Sequence, residues 1–193
     1  MTVQPGLTRY TRSADYPRLV WAAVEASRKA GFDRACTPEA GGLLQALAGE
    51  RSGLRVLEVG TGCGVGAAWL LSGMDQSSRL LTVELDRALA SVAERVLRGD
   101  ARARVLAGDW TLVKQLRPFD LIFADVYAAK SDPLPILELM APGAVCVCDD
   151  MTPGRSPAED PVRLLWSAVA EVDVHEVPLT ATECALVIRA ARD

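Results

Sequence analysis

The sequence predicts an α/β fold, one domain built on a mostly parallel sheet, and three observations lead there. From Leu54 onward, short apolar runs alternate with longer segments of helical period, the pattern of repeated strand-helix units. A strand-like run at 55–59 passes through Gly60, Gly62, Gly64 and Gly66 directly into an apolar helical pattern. The last two strand-like runs are separated only by a turn near 178–182, which predicts an antiparallel pair.

In chain order, helical patterns occupy 16–29 and 38–48. In the first, Leu19, Val20, Ala23, Val24 and Ser27 recur at helical spacing, so that face packs against something. These two helices form an N-terminal extension, 1–50, laid on the sheet and able to wall a substrate site. Strands follow at 55–59, 80–84, 104–107, 121–124, 144–148, 172–177 and 184–188, with helices at 64–71, 87–97, 112–116, 134–140 and 161–170. At 193 residues, without repeats or a linker, 1–193 reads as a single domain. The Pro- and Gly-rich stretch 152–161 follows the fifth strand, at the sheet edge where open α/β folds bind ligands, and is a candidate lid.

Composition narrows the partners. No apolar run approaches the ~20 residues a membrane-crossing helix needs, so no membrane is expected. The opening MTVQPGLTRYTRSADYP carries charge and proline where a signal peptide has its apolar region, which predicts a cytoplasmic protein. Five cysteines (Cys36, Cys63, Cys146, Cys148, Cys184) are odd in number and lack a CxxC pair, against a disulfide framework or zinc site. Cys146 and Cys148 fall on one face of a strand, as core residues do. The formal charge is −4 with arginines dispersed, so no nucleic acid is expected and a small molecule is. His175, the one histidine, falls within the sixth strand, a structural or surface position.

The chemistry concentrates in VLEVGTGCGVGAAWL, residues 56–70. Glycines there let a nucleotide-like ligand approach the backbone, but dinucleotide sites use a similar spacing. Acidic residues separate the two. Glu58 lies inside the strand where an apolar side chain is usual, and a buried carboxylate must be hydrogen-bonded to be tolerated. Glu84 ends the second strand in LLTVELD, where its two oxygens can accept both hydroxyls of a ribose. Asp109, in VLAGDW, can accept from an adenine amino group, and Asp125 ends the fourth strand in FDLIFADVY. Asp120 lies at the opposite end of that strand and suits a turn or cap.

Taken in order, VLEVGTGCGVG, VELD, AGDW, FDLIFAD and APGAVCVCDDM resemble the class I S-adenosylmethionine (SAM)-dependent methyltransferases. With the preceding CTPEAGGLLQAL, the chain is similar over residues 36–150 to the small O-methyltransferases related to the catechol and caffeoyl-coenzyme A enzymes. The resemblance implies a Rossmann-like seven-stranded sheet of order 3-2-1-4-5-7-6, strand 7 antiparallel, with helices on both faces. It implies SAM as cofactor and methylation of a small hydroxyl substrate, aromatic ones included. It assigns Glu58, Gly60, Gly62 and Gly64 to the glycine loop, Glu84 to the ribose, Asp109 and Trp110 to the adenine edge and Asp125 to the fourth-strand acid of the cofactor site. Tyr127 falls where relatives set an aromatic ring against adenine, although a rim residue packed on the protein itself fits as well.

The resemblance also implies a divalent metal, Mg²⁺, held by Asp125, Asp149 and Asp150, which would acidify the attacking oxygen. Relatives carry Asp-Asn where this chain has Asp149-Asp150, and the alternative is a strand that simply ends in a polar loop. A second departure concerns the base. The catechol-type enzymes place a lysine three residues after the fourth-strand Asp, where this chain has Ala128. Lys130 is the nearest substitute, and with Asp125 it completes the catalytic candidates, although a solvated surface lysine is the commoner situation. An NAD-dependent oxidoreductase and a SAM-binding regulatory or scaffold protein without turnover stay open at this point, as does the assembly state, a homodimer included.

Overall fold

The computed structural model describes residues 6–192; residues 1–5 of the expected N-terminal extension, and 193, lie outside the described residues. Seven strands form one sheet: β1 (Arg55–Val59), β2 (Arg79–Glu84), β3 (Ala103–Ala107), β4 (Phe119–Ala124), β5 (Met140–Met151), β6 (Val172–Pro178) and β7 (Cys184–Ala190). Their order is β3-β2-β1-β4-β5-β7-β6, as expected. β1 pairs in parallel with β2 and β4, and β7 runs antiparallel to β5 and β6. Strand order reverses between β1 and β4, so their carboxyl ends open a crevice, the place where such sheets bind ligands.

Alternation along the strands sorts the core into two layers. Val56, Leu121, Phe123, Val145 and Val187 face one side, where α1 (Arg18–Ala30), α2 (Pro38–Ala48) and α3 (Val65–Gly73) pack. Leu57, Ile122, Ala124, Cys146, Cys148 and Ile188 face the other side. Cys146 and Cys148 are fully buried there as core residues, and His175 is exposed on β6. α4 (Arg87–Leu97) begins where the Asp86 side chain accepts the Ala88 amide at 2.7 Å, and Thr37 and Asp160 cap their helices in the same way. Asp120 accepts the Arg55 amide at 2.8 Å and pairs with Arg51, fixing the start of β1. No helix among the described residues is long and apolar enough to cross a membrane.

Several segments differ from the sequence expectation, among them the fifth strand, expected at 144–148 and found at Met140–Met151. The helix expected at 134–140 is α6 (Pro133–Leu137), because Met140 pairs with Phe119 and opens β5 instead. The segment expected as a helix at 112–116 is a 3₁₀ helix, Trp110–Leu116, whose first turn is closed by the Asp109 side chain. α7 (Pro161–Ser167) stops short of residue 170, where the chain turns through Val169 N–H to Trp166 C=O at 3.2 Å. One further turn of helix, α5 (Tyr127–Lys130), was not anticipated.

Candidate functional site

The crevice holds a cavity of about 670 Å³, within the range typical of small-molecule sites. Its floor is the turn after β1. The Gly60 and Thr61 amides both donate to Val83 C=O, so the chain leaves β1 over the neighbouring strand. Gly60 has φ +97°, and a Cβ there would come within 2.7 Å of Val126, so this turn needs glycine. α3 then starts at Gly64 with no side-chain cap, leaving its first amides for other acceptors.

Glu58 is one of those acceptors. It is 1% exposed, takes a hydrogen bond from the Ala67 amide and another from Thr82 Oγ1, and lies beneath the glycine turn. Since the Thr82 hydrogen is used on Glu58, the Thr61 hydroxyl must donate to Thr82, which joins turn, β1 and β2 in one chain of bonds. Burial pushes the Glu58 carboxyl up to about 8, an effect the Thr82 bond only partly offsets. Gly66 permits this contact, because a Cβ there would lie 2.3 Å from Glu58 Oε1.

Glu84 lines the cavity at the end of β2 and accepts the Gly62 amide at 2.8 Å and the Asp86 amide at 2.9 Å, one on each oxygen. Each oxygen keeps a lone pair for a ligand hydroxyl. Gly60, Gly62, Glu84 and Asp125 share this cavity. The other expected cofactor residues do not line it. Glu58 and Gly64 lie below the turn, as its support. Asp109 spends an oxygen on the Thr111 amide and hydroxyl, and Trp110 packs against the core cluster of its own side of the sheet. Tyr127 is 68% exposed at the start of α5 and is not on the lining.

Beyond the turn lie the three acids assigned to a metal. Asp125, Asp149 and Asp150 each bring a carboxylate oxygen within 4.8 Å of the others. The register of β5 against β7 shifts between Cys148 and Met151, and Asp150 has φ +58°. That irregularity breaks the alternation that would send Asp149 and Asp150 to opposite faces. A lysine completes the cluster. Lys130, 7% exposed, donates to Asp149 Oδ1 at 2.8 Å and to Asp149 C=O at 3.0 Å, with Asp125 at 3.7 Å and Asp150 at 3.8 Å.

The surface position considered for Lys130 is therefore corrected: the α5 turn carries it inward, whereas Ala128 is exposed. Burial alone would lower its pKa, but the charges of Asp149, Asp125 and Asp150 outweigh that and hold the ammonium well above its ordinary value. These contacts favour the protonated amine. Burial first, then Asp149, pushes the Asp125 carboxyl well up, and Asp149 does the same to Asp150, to about 6. An octahedral ion that keeps its waters does not fit among these carboxylates with the ammonium in place, and no chemical step is assigned to a metal.

The remaining wall comes from segments outside the glycine turn and the acid cluster. Phe32, Ala35 and Cys36, between α1 and α2, line the cavity, as do Gly6, Thr182 and Glu183. Glu183, nearly buried, accepts from Thr37 Oγ1 at 2.9 Å and pairs with Arg9 at 2.9 Å. Met151 and Thr152 contribute the near end of the expected lid. Asp33, Glu84, Asp125, Asp150 and Glu183 outnumber Arg34 on the lining, so the cavity favours a cationic ligand. Phe32 and Glu183 were not singled out from the sequence, where neither stands in a pattern that marks a site.

A glycine turn at the switch point, an acid ending β2 and an antiparallel β7 inserted beside β5 define the class I methyltransferase fold. Residues 57–151 match the family described as Methyltransferase domain. A protein of Mycolicibacterium smegmatis is 34% identical over 126 residues, 62% of this chain and 60% of that protein. One of Mycobacterium leprae is 35% identical over 111 residues, 54% of this chain and 49% of that protein. Both carry the provisional name O-methyltransferase, and the match spans only about half to three-fifths of their length. Among solved structures, the O-methyltransferase TomG of Streptomyces achromogenes in complex with SAM has TM-score 0.74 at 23% identity, covering 100% of both chains. An O-methyltransferase of Bacillus cereus in complex with S-adenosylhomocysteine has TM-score 0.75 at 19% identity over 93% of this chain and 95% of that one. The chain has the class I methyltransferase fold, and over residues 57–151 its sequence is similar to the Methyltransferase domain family.

Proposed function

We propose that the chain transfers the methyl group of SAM to a hydroxyl oxygen of a small molecule. The observation that carries this reading is one cavity joining the Gly60–Gly62 turn and Glu84 to Asp125 and Asp150. The sulfonium supplies an activated methyl carbon, so the protein's work is to align the acceptor and exclude water. Glu84 holds the ribose, the glycine turn receives the amino-acid end above Glu58, and the acidic lining favours the sulfonium charge. As the C–O bond forms and the C–S bond breaks, the acceptor oxygen gives up its proton. Asp125 and Asp150 are the carboxylates facing that end of the cavity and able to receive it. Metal assistance, which the resemblance implies, competes with Lys130 for the same oxygens and is left out of this mechanism.

The test is incubation with methyl-labelled SAM and a panel of phenols and aliphatic alcohols. Label carried into a phenol, with S-adenosylhomocysteine released in equal amount, supports the reading; tighter binding of NAD than of SAM sinks it. A SAM-binding chain with no transfer to any hydroxyl, but transfer to amines or thiols, would move the acceptor class.

A further inference from the structure

Lys130 occupies the space that three carboxylates would otherwise close around an ion. Its ammonium lies within 3.8 Å of one oxygen each of Asp125, Asp149 and Asp150. We propose that Lys130 is the resident cation of this cluster, that it excludes a divalent ion from it, and that the chain handles its acceptor without metal. The ion-exclusion half rests on the geometry alone; its bearing on turnover rests on the methyl-transfer reading above.

The ammonium is built in. Lys130 closes the single turn α5, its amide donating to Val126 C=O at 3.0 Å, so its Cα is fixed directly after β4. Its own carbonyl accepts Trp166 Nε1–H at 2.9 Å, which ties the end of the turn to α7. The fully buried Trp166 therefore holds the backbone from which the side chain reaches Asp149. Of the three ammonium hydrogens, two go to Asp149, through its carbonyl and Oδ1, and the third is left for Asp125 or Asp150. To admit a divalent ion, the chain would have to break both bonds to Asp149 and move a buried side chain out.

The charge count agrees. Three carboxylates packed together repel one another, and a cation among them is what makes the arrangement tolerable. Lys130 supplies it from within the chain, five residues after Asp125, without recruiting an ion from solvent. One atom marks the rival arrangement: Asp149 Oδ2 is buried with no hydrogen-bond partner, the oxygen a second cation would claim.

Mn²⁺, whose solution electron paramagnetic resonance signal is lost on binding, is the probe, titrated into wild type, Lys130→Met and Lys130→Met/Asp150→Asn. Wild type should leave the signal unchanged. Lys130→Met keeps the stem and removes the charge, and should take up about one ion per chain, with affinity raised about 10-fold or more. Asp150→Asn should abolish that gain. A folded Lys130→Met chain that gains no Mn²⁺ affinity overturns the proposal, and so does wild type binding about one ion per chain. The wild-type titration decides the matter even where the variant fails to fold. Calorimetry with SAM on wild type is the separate arm: a chain that binds neither SAM nor Mn²⁺ sinks the methyl-transfer reading and leaves the ion exclusion standing.

Discussion

The Glu84 carboxylate accepts the Gly62 amide at 2.8 Å, so the last side chain of β2 holds the turn that follows β1. Its second oxygen accepts the Asp86 amide at 2.9 Å, one residue before α4. Neither bond uses both lone pairs of its oxygen, and the carboxylate can brace the turn and hold a ligand together. Glu84→Ala should weaken SAM binding by ~10-fold or more, since a hydrogen bond to a charged group is worth roughly 1.5–3 kcal/mol. Isothermal titration calorimetry reads this directly. Unchanged affinity would remove Glu84 from the cofactor site.

Glycine has opposite value at two helical positions, and the contrast is a test. At Gly66 a Cβ would lie 2.3 Å from Glu58 Oε1 and 3.0 Å from the Phe123 ring, two groups confined between sheet and helix. Gly66→Ala should cost about 1–3 kcal/mol by overpacking, and the melting temperature should fall by about 2–4 °C for each kcal/mol. At Gly42, also helical, nothing lies within 4 Å, and Gly42→Ala should stabilise by about 0.4–1 kcal/mol. If both substitutions shift the melting temperature alike, the close approach of Glu58 to α3 is wrong.

Burial of Glu58 has a consequence for pH. Its carboxyl is pushed from 4.5 up to about 8, chiefly by desolvation, so the folded chain holds this proton more tightly than the unfolded one. The contribution is stabilising, fully present below the unfolded value and lost as pH rises through about 8. Glu58→Gln keeps the shape and cannot ionise. Melting curves should therefore show the difference between Gln and wild type moving in favour of Gln as pH is raised from about 5 to about 8. A constant difference across that range would mean that Glu58 is ionised in the fold at all these pH values.

Much of this arrangement is legible in the sequence, and the reasons are physical. Residues 55–59, 87–97 and 38–48 match the observed elements end to end, because glycines or a capping Asp86 or Thr37 punctuate their apolar periods. Glu58 and Glu84 are legible as acids at positions where a strand would otherwise be apolar or end. Lys130 is not. A four-residue turn has no period to read, and lysine is almost never buried unless paired, so its partners had to be known first. Asp109, Trp110 and Tyr127 show the limit from the other side: a linear motif fixes position along the chain, but not where α5 or a 3₁₀ turn points a side chain. Glu183 and Arg9 meet across 174 residues of sequence, and no local pattern announces that pair.

The segment 152–161 is anchored at its ends and bare in its middle. Arg163 holds Thr152 C=O at 2.8 Å, and the Gly154 amide donates to Glu176 at 3.1 Å. Between Gly154 and Asp160, which pairs with Arg163 at the far end, Arg155 to Glu159 are exposed, with only the local Ser156–Glu159 capping box for structure. Amides there should exchange fast in the free protein and slow when SAM and acceptor are bound, because Met151 and Thr152 already line the cavity. Hydrogen exchange that is equal with and without ligands would show that the segment does not close.

Arg9 bridges Glu183 at 2.9 Å and Glu39 at 2.5 Å, and so fastens the N-terminal segment to the β6–β7 turn and to α2. The two contacts differ in weight. Glu39 is well exposed, and an exposed pair contributes little, whereas the Glu183 side chain is only 7% exposed. Burial pushes the Glu183 carboxyl up, while Thr37 and Arg9 act in the opposite sense. Arg9→Ala leaves that carboxylate with Thr37 alone, and should cost about 1–2 kcal/mol, below the figure for a fully buried pair because Arg9 is itself partly exposed. In a Glu183→Gln background the same substitution should cost much less, since no buried charge is stranded. Gly6 and Glu183 both line the cavity, so Arg9→Ala should also weaken ligand binding, although Arg9 is not on that lining. Equal losses of stability in the two backgrounds, measured by calorimetric melting, would show that Arg9 does not act through Glu183.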